Sequence, residues 1–437
     1  MIKFEHSTNT APLILGAGIT GLGCGSSTGF RIIERQNFPG GICASYHMEP
    51  GHRQRNRHRR SDEEDFRFEY GGGHWIFGRN EPMLELLRSY DEFVTRERKA
   101  SVYLSSMDLT VPYPIQNNLR YLPADLREAI LSEMKEQQPS ATVPTMSAWC
   151  ASVFGPTLAG LFFHPFHELY TAGLAGTIAP QDSYKTPVDL ALVRQGAERS
   201  TRPAGYNTTF IYPHNGLNAV MDALERRCDI RYDTEAVRIN PEARTVRLSD
   251  GSTLPYSALI STIPLNILQQ ISGLRTASVQ DPYTSVLVLN IGARKGKRRI
   301  DDHWVYFPTS RSGFHRIGFY DNVDPRFLPR SKRDGEHTSL YVEMAYRGGD
   351  RPDEQAIAQR CSAVMQELQD LDIIRDAEIV DPTWIDVAYT WTIPGSTWRE
   401  EMIAAARQHD IHCIGRYGAW KFQGILDSLN DGLRFVL

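Results

Sequence analysis

The chain is poor in cysteine, and the cysteines it has follow no pattern. The six (Cys24, Cys43, Cys150, Cys228, Cys361 and Cys413) form no CxxC pair and no zinc-like spacing with histidine, so no metal site is expected. Scattered thiols fit a reducing cytoplasm and packing roles. No apolar run nears the roughly 20 residues of a membrane span. The opening MIKFEHSTNT lacks the apolar stretch of a signal peptide. A basic excess is missing too: 48 Lys and Arg face 52 Asp and Glu, which argues against a general nucleic-acid binder. There is no internal repeat and no low-complexity linker. What remains is a 437-residue chain of ordinary globular composition, long enough for two or three domains.

Glycine is where the sequence is organised. LILGAGITGLG (13–23) reads as a buried strand, a glycine turn and a helix. Gly16, Gly18 and Gly21 match GxGxxG, with Ile19 and Thr20 opening the helix. Such a turn lets backbone approach a pyrophosphate and aims free N–H groups at it. FRIIER (30–35) is a second strand, and Glu34 closes it at the distance expected of a ribose-binding carboxylate, with Arg35 beside it. A carboxylate there disfavours a 2′-phosphate. Gly40 and Gly41 follow, then FEYGGGHWIF (68–77) with Gly72, Gly73 and His74. The helix at 19–27 is poor by propensity, since it holds Gly21, Gly23, Gly25, Ser26, Ser27 and Thr28.

Beyond this unit the pattern changes. Residues 48–65 (MEPGHRQRNRHRRSDEED) are almost devoid of apolar side chains and read as a solvated, mobile loop, or else as a basic flap over an anionic substrate. Residues 80–200 are mostly helical in pattern, and 283–345 alternate as strands. The segment 237–264 reads as a hairpin and a buried strand, and IHCIGRYGAWKFQGILDSLNDGL as strand, turn and helix.

The succession of GxGxxG, strand-end Glu, PGG and GGH resembles the flavoprotein superfamily of amine oxidases, protoporphyrinogen oxidase and UDP-galactopyranose mutase. Three stretches are most similar to the mutase family: 69–119, 162–182 with its Tyr-Thr pair, and IGRYGAWKFQGILDSL (414–429). FHRIGFYDN (314–322) resembles that family's strand with a substrate-gripping arginine. The resemblance implies an α/β fold with a Rossmann-like FAD-binding domain, an inserted helical region and a mainly antiparallel β-sheet substrate domain. It implies a discontinuous FAD domain (about 1–85, 205–265 and 405–437), a helical region (86–204) and a substrate sheet (266–404).

The cofactor implied is FAD, in reduced form for mutase chemistry, in which flavin N5 acts as nucleophile on a nucleotide-linked sugar without net redox. The implied FAD contacts are Gly16, Gly18, Ile19, Thr20, Gly21, Glu34, Arg35, Gly40, Gly41, Gly72, Gly73, His74, Val237, Gly415, Arg416 and Ile425. His74 and Arg316 are the implied catalytic residues, with Tyr170, Arg316, Tyr320 and Phe422 on the substrate. The expected partners are a small molecule, of nucleotide-sugar type, and a second copy of the chain. The chain departs from the family at Asp189, where an arginine is expected, with Arg194, Arg199 or Arg202 as substitutes, and at Leu174, Phe422 and Gly424, each of which removes a polar or aromatic group. UDP-galactopyranose itself is therefore not the expected substrate. The alternatives are an FAD-dependent amine oxidase or dehydrogenase, and a flavin-binding protein with a degraded site.

Overall fold

The computed structural model describes residues 10–136, 145–180, 188–200 and 207–437. Five short strands form a parallel sheet in the order Ile230–Arg231, Arg31–Ile33, Leu13–Leu15, Leu259–Ser261 and Ile411–Cys413. Their apolar residues are continuous because both faces are covered. Leu13, Leu15 and Ile33 pack on the meander Ala236–Asn240, Thr245–Leu248 and Thr253–Pro255 through Ile239, Val246 and Leu248. Ile14, Ile32 and Ile260 face the other way, onto Leu22, Leu224 and Leu429. The expected α/β architecture is present, with a Rossmann-like opening unit.

The glycine-rich helix, Ile19–Thr28, explains its own composition. It crosses the last helix, Ile425–Leu433, at backbone contact. A Cβ on Gly432 would lie 2.2 Å from the Thr20 carbonyl oxygen, and one on Gly23 would lie 3.0 Å from that of Leu429. Poor helix propensity is the cost of this close approach.

The second layer is a seven-stranded sheet in the order Ile374–Thr390, Tyr283–Lys295, His337–Arg347, Arg316–Phe319, Trp304–Tyr306, Ala100–Leu104 and Leu109–Pro112. All pairings are antiparallel except that of Trp304–Tyr306 with Ala100–Leu104. Alternation sorts its side chains. Leu287, Leu289, Ile317, Leu340, Val342 and Met344 pack against Val364 and Leu368 of the helix Glu354–Asp370. The residues between them, among them Val286, Arg316 and Glu343, face the parallel-sheet layer and the cavity there. The helical expectation for 80–200 fails over 93–112, where Phe93–Glu97, Ala100–Leu104 and Leu109–Pro112 are strands rich in β-branched and aromatic residues.

One apolar helix and one polar segment bear on the remaining expectations. The helical run Met146–Tyr170 is, by length and composition alone, apolar enough to cross a membrane, although half of its most apolar 18-residue window is buried inside the protein and Gly155-Pro156 interrupts it. Residues 48–65 form a pinned strap rather than a loose loop. Arg55 Nε donates to Asp381 at 2.8 Å, Arg57 pairs with Asp222 and Glu225, and Arg333 donates to Glu63 at 2.8 Å. Distant carboxylates, invisible in a local reading, supply the order that apolar burial does not.

The helix crossing yields a test. Gly432→Ala is expected to destabilise the protein by about 1–3 kcal/mol through overpacking. Gly176→Ala, whose Cβ would meet nothing within 4 Å, is expected to stay within about 0.5 kcal/mol. Equal melting temperatures for the two variants would refute the crossing as a constraint.

Candidate active site

One cavity of about 1320 Å³ runs from the carboxyl ends of the parallel strands to the front of the large sheet. It exceeds the roughly 300–1,000 Å³ of ordinary ligand pockets, which leaves room for more than one ordinary ligand. At one end Gly16, Gly18, Ile19 and Thr20 line it. Gly16 has φ +94°, a conformation that only glycine adopts readily, and a Cβ there would lie 2.8 Å from Thr262 Oγ1. The helix that follows has no side-chain cap and no acid in its first turn, so its N–H groups and positive end are free for phosphate. Gly18 leaves open space where a side chain would stand.

Glu34 is buried on the same wall. Its Oε2 accepts the Ala17 N–H at 2.6 Å and its Oε1 the Gln36 N–H at 2.8 Å. Burial raises its pKa, and these N–H groups oppose the rise. Each oxygen keeps a lone pair for a ribose hydroxyl. Arg35 and Val237 lie on the cavity lining near it, and both are exposed. An uncapped helix end, a glycine edge open to the cavity and a fixed carboxylate fit an adenosine dinucleotide.

Further along, Gly40, Gly41, Gly73, His74, Arg416 and Ile425 line the cavity. His74 Nδ1 lies 3.4 Å from the Gly72 carbonyl. Burial, and then the charge of Arg416, push its pKa down to about 4, so the imidazole is neutral near pH 7. Arg416 donates to the carbonyls of Gln423 (2.9 Å) and Ala388 (3.1 Å), and its guanidinium lies 4.6 Å from the Phe422 ring centroid. No carboxylate pairs with it among the described residues, so its charge stays available to a ligand.

The far end is an aromatic chamber. Trp149, Phe162, Phe166 and Tyr170 come from the helical run, and Tyr306, Tyr389 and Trp391 from the sheet side. Tyr170 meets Tyr389 edge-on at 4.8 Å and Trp391 at 5.4 Å. The strand register sets Arg316 opposite Glu343. Arg316 forks onto that carboxylate through Nε (3.0 Å) and Nη2 (2.7 Å), while His315 Nε2 lies 3.4 Å from the same group. Glu343 is buried, which alone would raise its pKa; the charge of Arg316, with a smaller contribution from the nearby His315 ring, outweighs this and holds it below the usual carboxylate value. Arg316 Nη1 has no partner among the described residues and is the edge left for a ligand.

Several expected site residues stand elsewhere. Tyr320 is core: the strand ends at Phe319, a short helical turn follows, and the Tyr320 hydroxyl donates to Asn290 Oδ1 at 2.8 Å with its ring stacked on Phe327. Gly21, Gly72 and Gly415 stand behind the wall, where a Cβ would meet Gly16 O, Glu343 and Thr20 respectively. They support the lining without joining it. Asp189 caps the helix Leu190–Glu198 by accepting from Ala191 N at 2.8 Å. Arg194 lines a separate cavity with Arg120 and Arg127, Arg199 is exposed, and Arg202 lies outside the described residues. Leu174 packs against the helical core, and Gly424 lines the cavity at the start of the last helix. The sequence reading missed Glu343, His315, His167, Tyr389 and Trp391. Strand alternation from Tyr341 could have found Glu343, but nothing local pairs it with Arg316.

Comparison with known proteins agrees with this geometry. The sequence model of the family described as flavin containing amine oxidoreductase matches residues 26–410. The structure resembles that of a reduced UDP-galactopyranose mutase, with a TM-score of 0.82, 21% identity, and coverage of 97% of this chain and 94% of that one. It also resembles cyclohexylamine oxidase from Brevibacterium oxydans (TM-score 0.60, 13% identity, 97% of each chain). A third likeness is to a fatty acid isomerase from P. acnes that produces CLA (TM-score 0.59, 12% identity, 98% of each chain). At these identities the likeness is one of fold. The family match covers most of the chain, and with the fitted dinucleotide cradle it makes this an FAD-dependent enzyme that belongs to the flavin containing amine oxidoreductase family.

Proposed function

We propose that the enzyme transforms a ring-bearing, glycoside-like substrate of the nucleotide-sugar class at its flavin, without net redox change. The observation that carries this reading is the meeting of two guanidiniums, Arg316 and Arg416, on one aromatic chamber at the flavin end of the cavity. The fold likeness to a reduced UDP-galactopyranose mutase supports it. FAD supplies a nucleophilic N5 when reduced and a hydride acceptor when oxidised. Gly16, Gly18, Glu34 and the helix N-terminus would hold its dinucleotide, and His74 and Arg416 would border its reactive ring.

The chain's own contributions follow from charge and packing. Arg316 Nη1 would stabilise negative charge on a departing diphosphate, as a charge-assisted donor does. Tyr170, Tyr389 and Trp391 would bury the sugar ring and exclude water. Neutral His74 neither gives nor takes a full charge near pH 7, so it orients by hydrogen bonding. Phe422 in place of a hydroxyl-bearing ring supports a substrate other than UDP-galactopyranose.

One observation favours the other reading, oxidation of an amine or ring carbon. Glu343 neutralises Arg316, so a diphosphate meets one guanidine edge rather than a free cation. The two readings part cleanly. Anaerobic, chemically reduced protein is expected to turn over at least one member of a UDP-sugar panel, with no electrons reaching the product. Hydrogen peroxide formed by the oxidised protein with an amine, and no sugar turnover, would refute the mutase reading.

The ion pair gives a second test. Arg316→Ala leaves Glu343 buried and unpaired, at a cost of about 3–5 kcal/mol in stability. The double variant Arg316→Met, Glu343→Gln is expected to recover stability yet still bind UDP more weakly, by about 1.5–3 kcal/mol. Titration of UDP against flavin fluorescence reads this, and unchanged affinity removes Arg316 from the site.

A further inference from the structure

The helical wall of the chamber contains a π-helical segment, Ala159–Phe163, between Met146–Leu158 and His164–Tyr170. Wide turns of this kind are rare and gather at functional sites. This one brings Phe162 and Phe163 into the lining, and the next turn adds Phe166, His167 and Tyr170. Phe166 and Tyr170 are near-parallel rings, 5.5 Å apart and tilted by 15°. His167 stands among them, 5.4 Å from Phe166 and 6.3 Å from Tyr170 between ring centroids.

The protons of this histidine are fixed by geometry. Its Nδ1 lies 2.6 Å from the Phe163 carbonyl oxygen. A carbonyl only accepts, so Nδ1 carries the ring hydrogen. Cys150 Sγ is 4.0 Å from the same nitrogen, too far to compete. Burial, and secondarily the nearby His164, push the imidazole pKa down to about 4, against the Phe163 bond, so the ring is neutral near pH 7. Nε2 is then a bare acceptor. It has no partner among the described residues, and the ring lies on the cavity wall.

We propose that His167 is a specificity-determining residue whose Nε2 accepts a hydrogen bond from an N–H or O–H donor on a planar part of the substrate lying along Phe166 and Tyr170. A lone acceptor in an aromatic wall discriminates strongly, because a ligand without the donor strips it of water and returns nothing. This rests on the aromatic chamber being the substrate site. It does not depend on which of the two reactions occurs there.

The test uses binding alone, so it stands apart from turnover. Indole is a planar ring with one N–H donor, and 1-methylindole is the same ring without it. Each is titrated into the FAD-loaded protein and followed by perturbation of the flavin absorbance. Wild type is expected to bind indole about tenfold tighter than 1-methylindole. In His167→Leu the two probes are expected to bind within about twofold of each other. His167→Gln, which keeps an acceptor oxygen near the Nε2 position, is expected to retain most of the preference. His167→Phe gives a second acceptor-free side chain if leucine disturbs the wall. Equal binding of the probes to wild type, no binding of either up to its solubility, or a preference unchanged in the acceptor-free variants overturns the proposal.

Discussion

The site depends on how closely two helices can lie. The glycine-rich helix contacts the last helix backbone to backbone, through Gly23 against the Leu429 carbonyl and Gly432 against that of Thr20. One helix opens on the glycine-turn end of the cavity. The other begins just after the turn that carries Arg416 and Phe422. Their separation therefore sets the distance between the glycine turn and the Arg416 guanidinium. Glu34 joins the same assembly by accepting the Ala17 N–H, which ties the second strand to the turn. Any side chain larger than hydrogen at the crossing would lengthen this frame, and a rigid dinucleotide cradle tolerates little of that.

Charge in the chamber is unequal at its two cationic points. Arg316 has its charge matched by Glu343 over a two-bond fork, so its field at a distance is small and its action is local, through one free N–H edge. Arg416 is held by carbonyls, which fix its position without cancelling its charge. A negative charge entering the cavity between them would thus feel Arg416 first. The near-neutral Arg316 pair is better suited to orienting a group than to attracting one from solvent.

Legibility followed the range of the interactions. The glycine turn, Glu34, the PGG pair and His74 are local patterns, and the structure places Gly16, Gly18, Glu34, Gly40, Gly41 and His74 on one cavity. Arg416 and Phe422 line the same cavity, from a strand, turn and helix that follow one another in sequence. Tyr320 was misjudged because the strand of Arg316 ends at Phe319, and Tyr320 opens a short helical turn that sets its ring in the core. The strap at 48–65 was misread because its order comes from Asp222, Glu225, Asp381 and Arg333, all more than 150 residues away. The Arg316–Glu343 pair is of the same kind: alternation predicts which face each residue takes, but only the strand register makes them partners.

That register bears on chemistry. A substrate with a diphosphate needs a cation that responds to it, and Arg316 is already engaged. For it to grip strongly, Glu343 must share the guanidinium or shift its bonding toward His315, which lies 3.4 Å away with no good hydrogen bond of its own. A neutral His315 that gains a proton as the ligand arrives would compensate Glu343 and release Arg316. A neutral amine or ring substrate makes no such demand, because the paired Arg316 can stay as it is. A diphosphate drawn fully onto Arg316 would favour a proton on His315, whereas one held by Arg416, or an uncharged ligand, would not. The burial of His315, which pushes its pKa down, makes that protonation costly unless the diphosphate itself supplies the balancing charge.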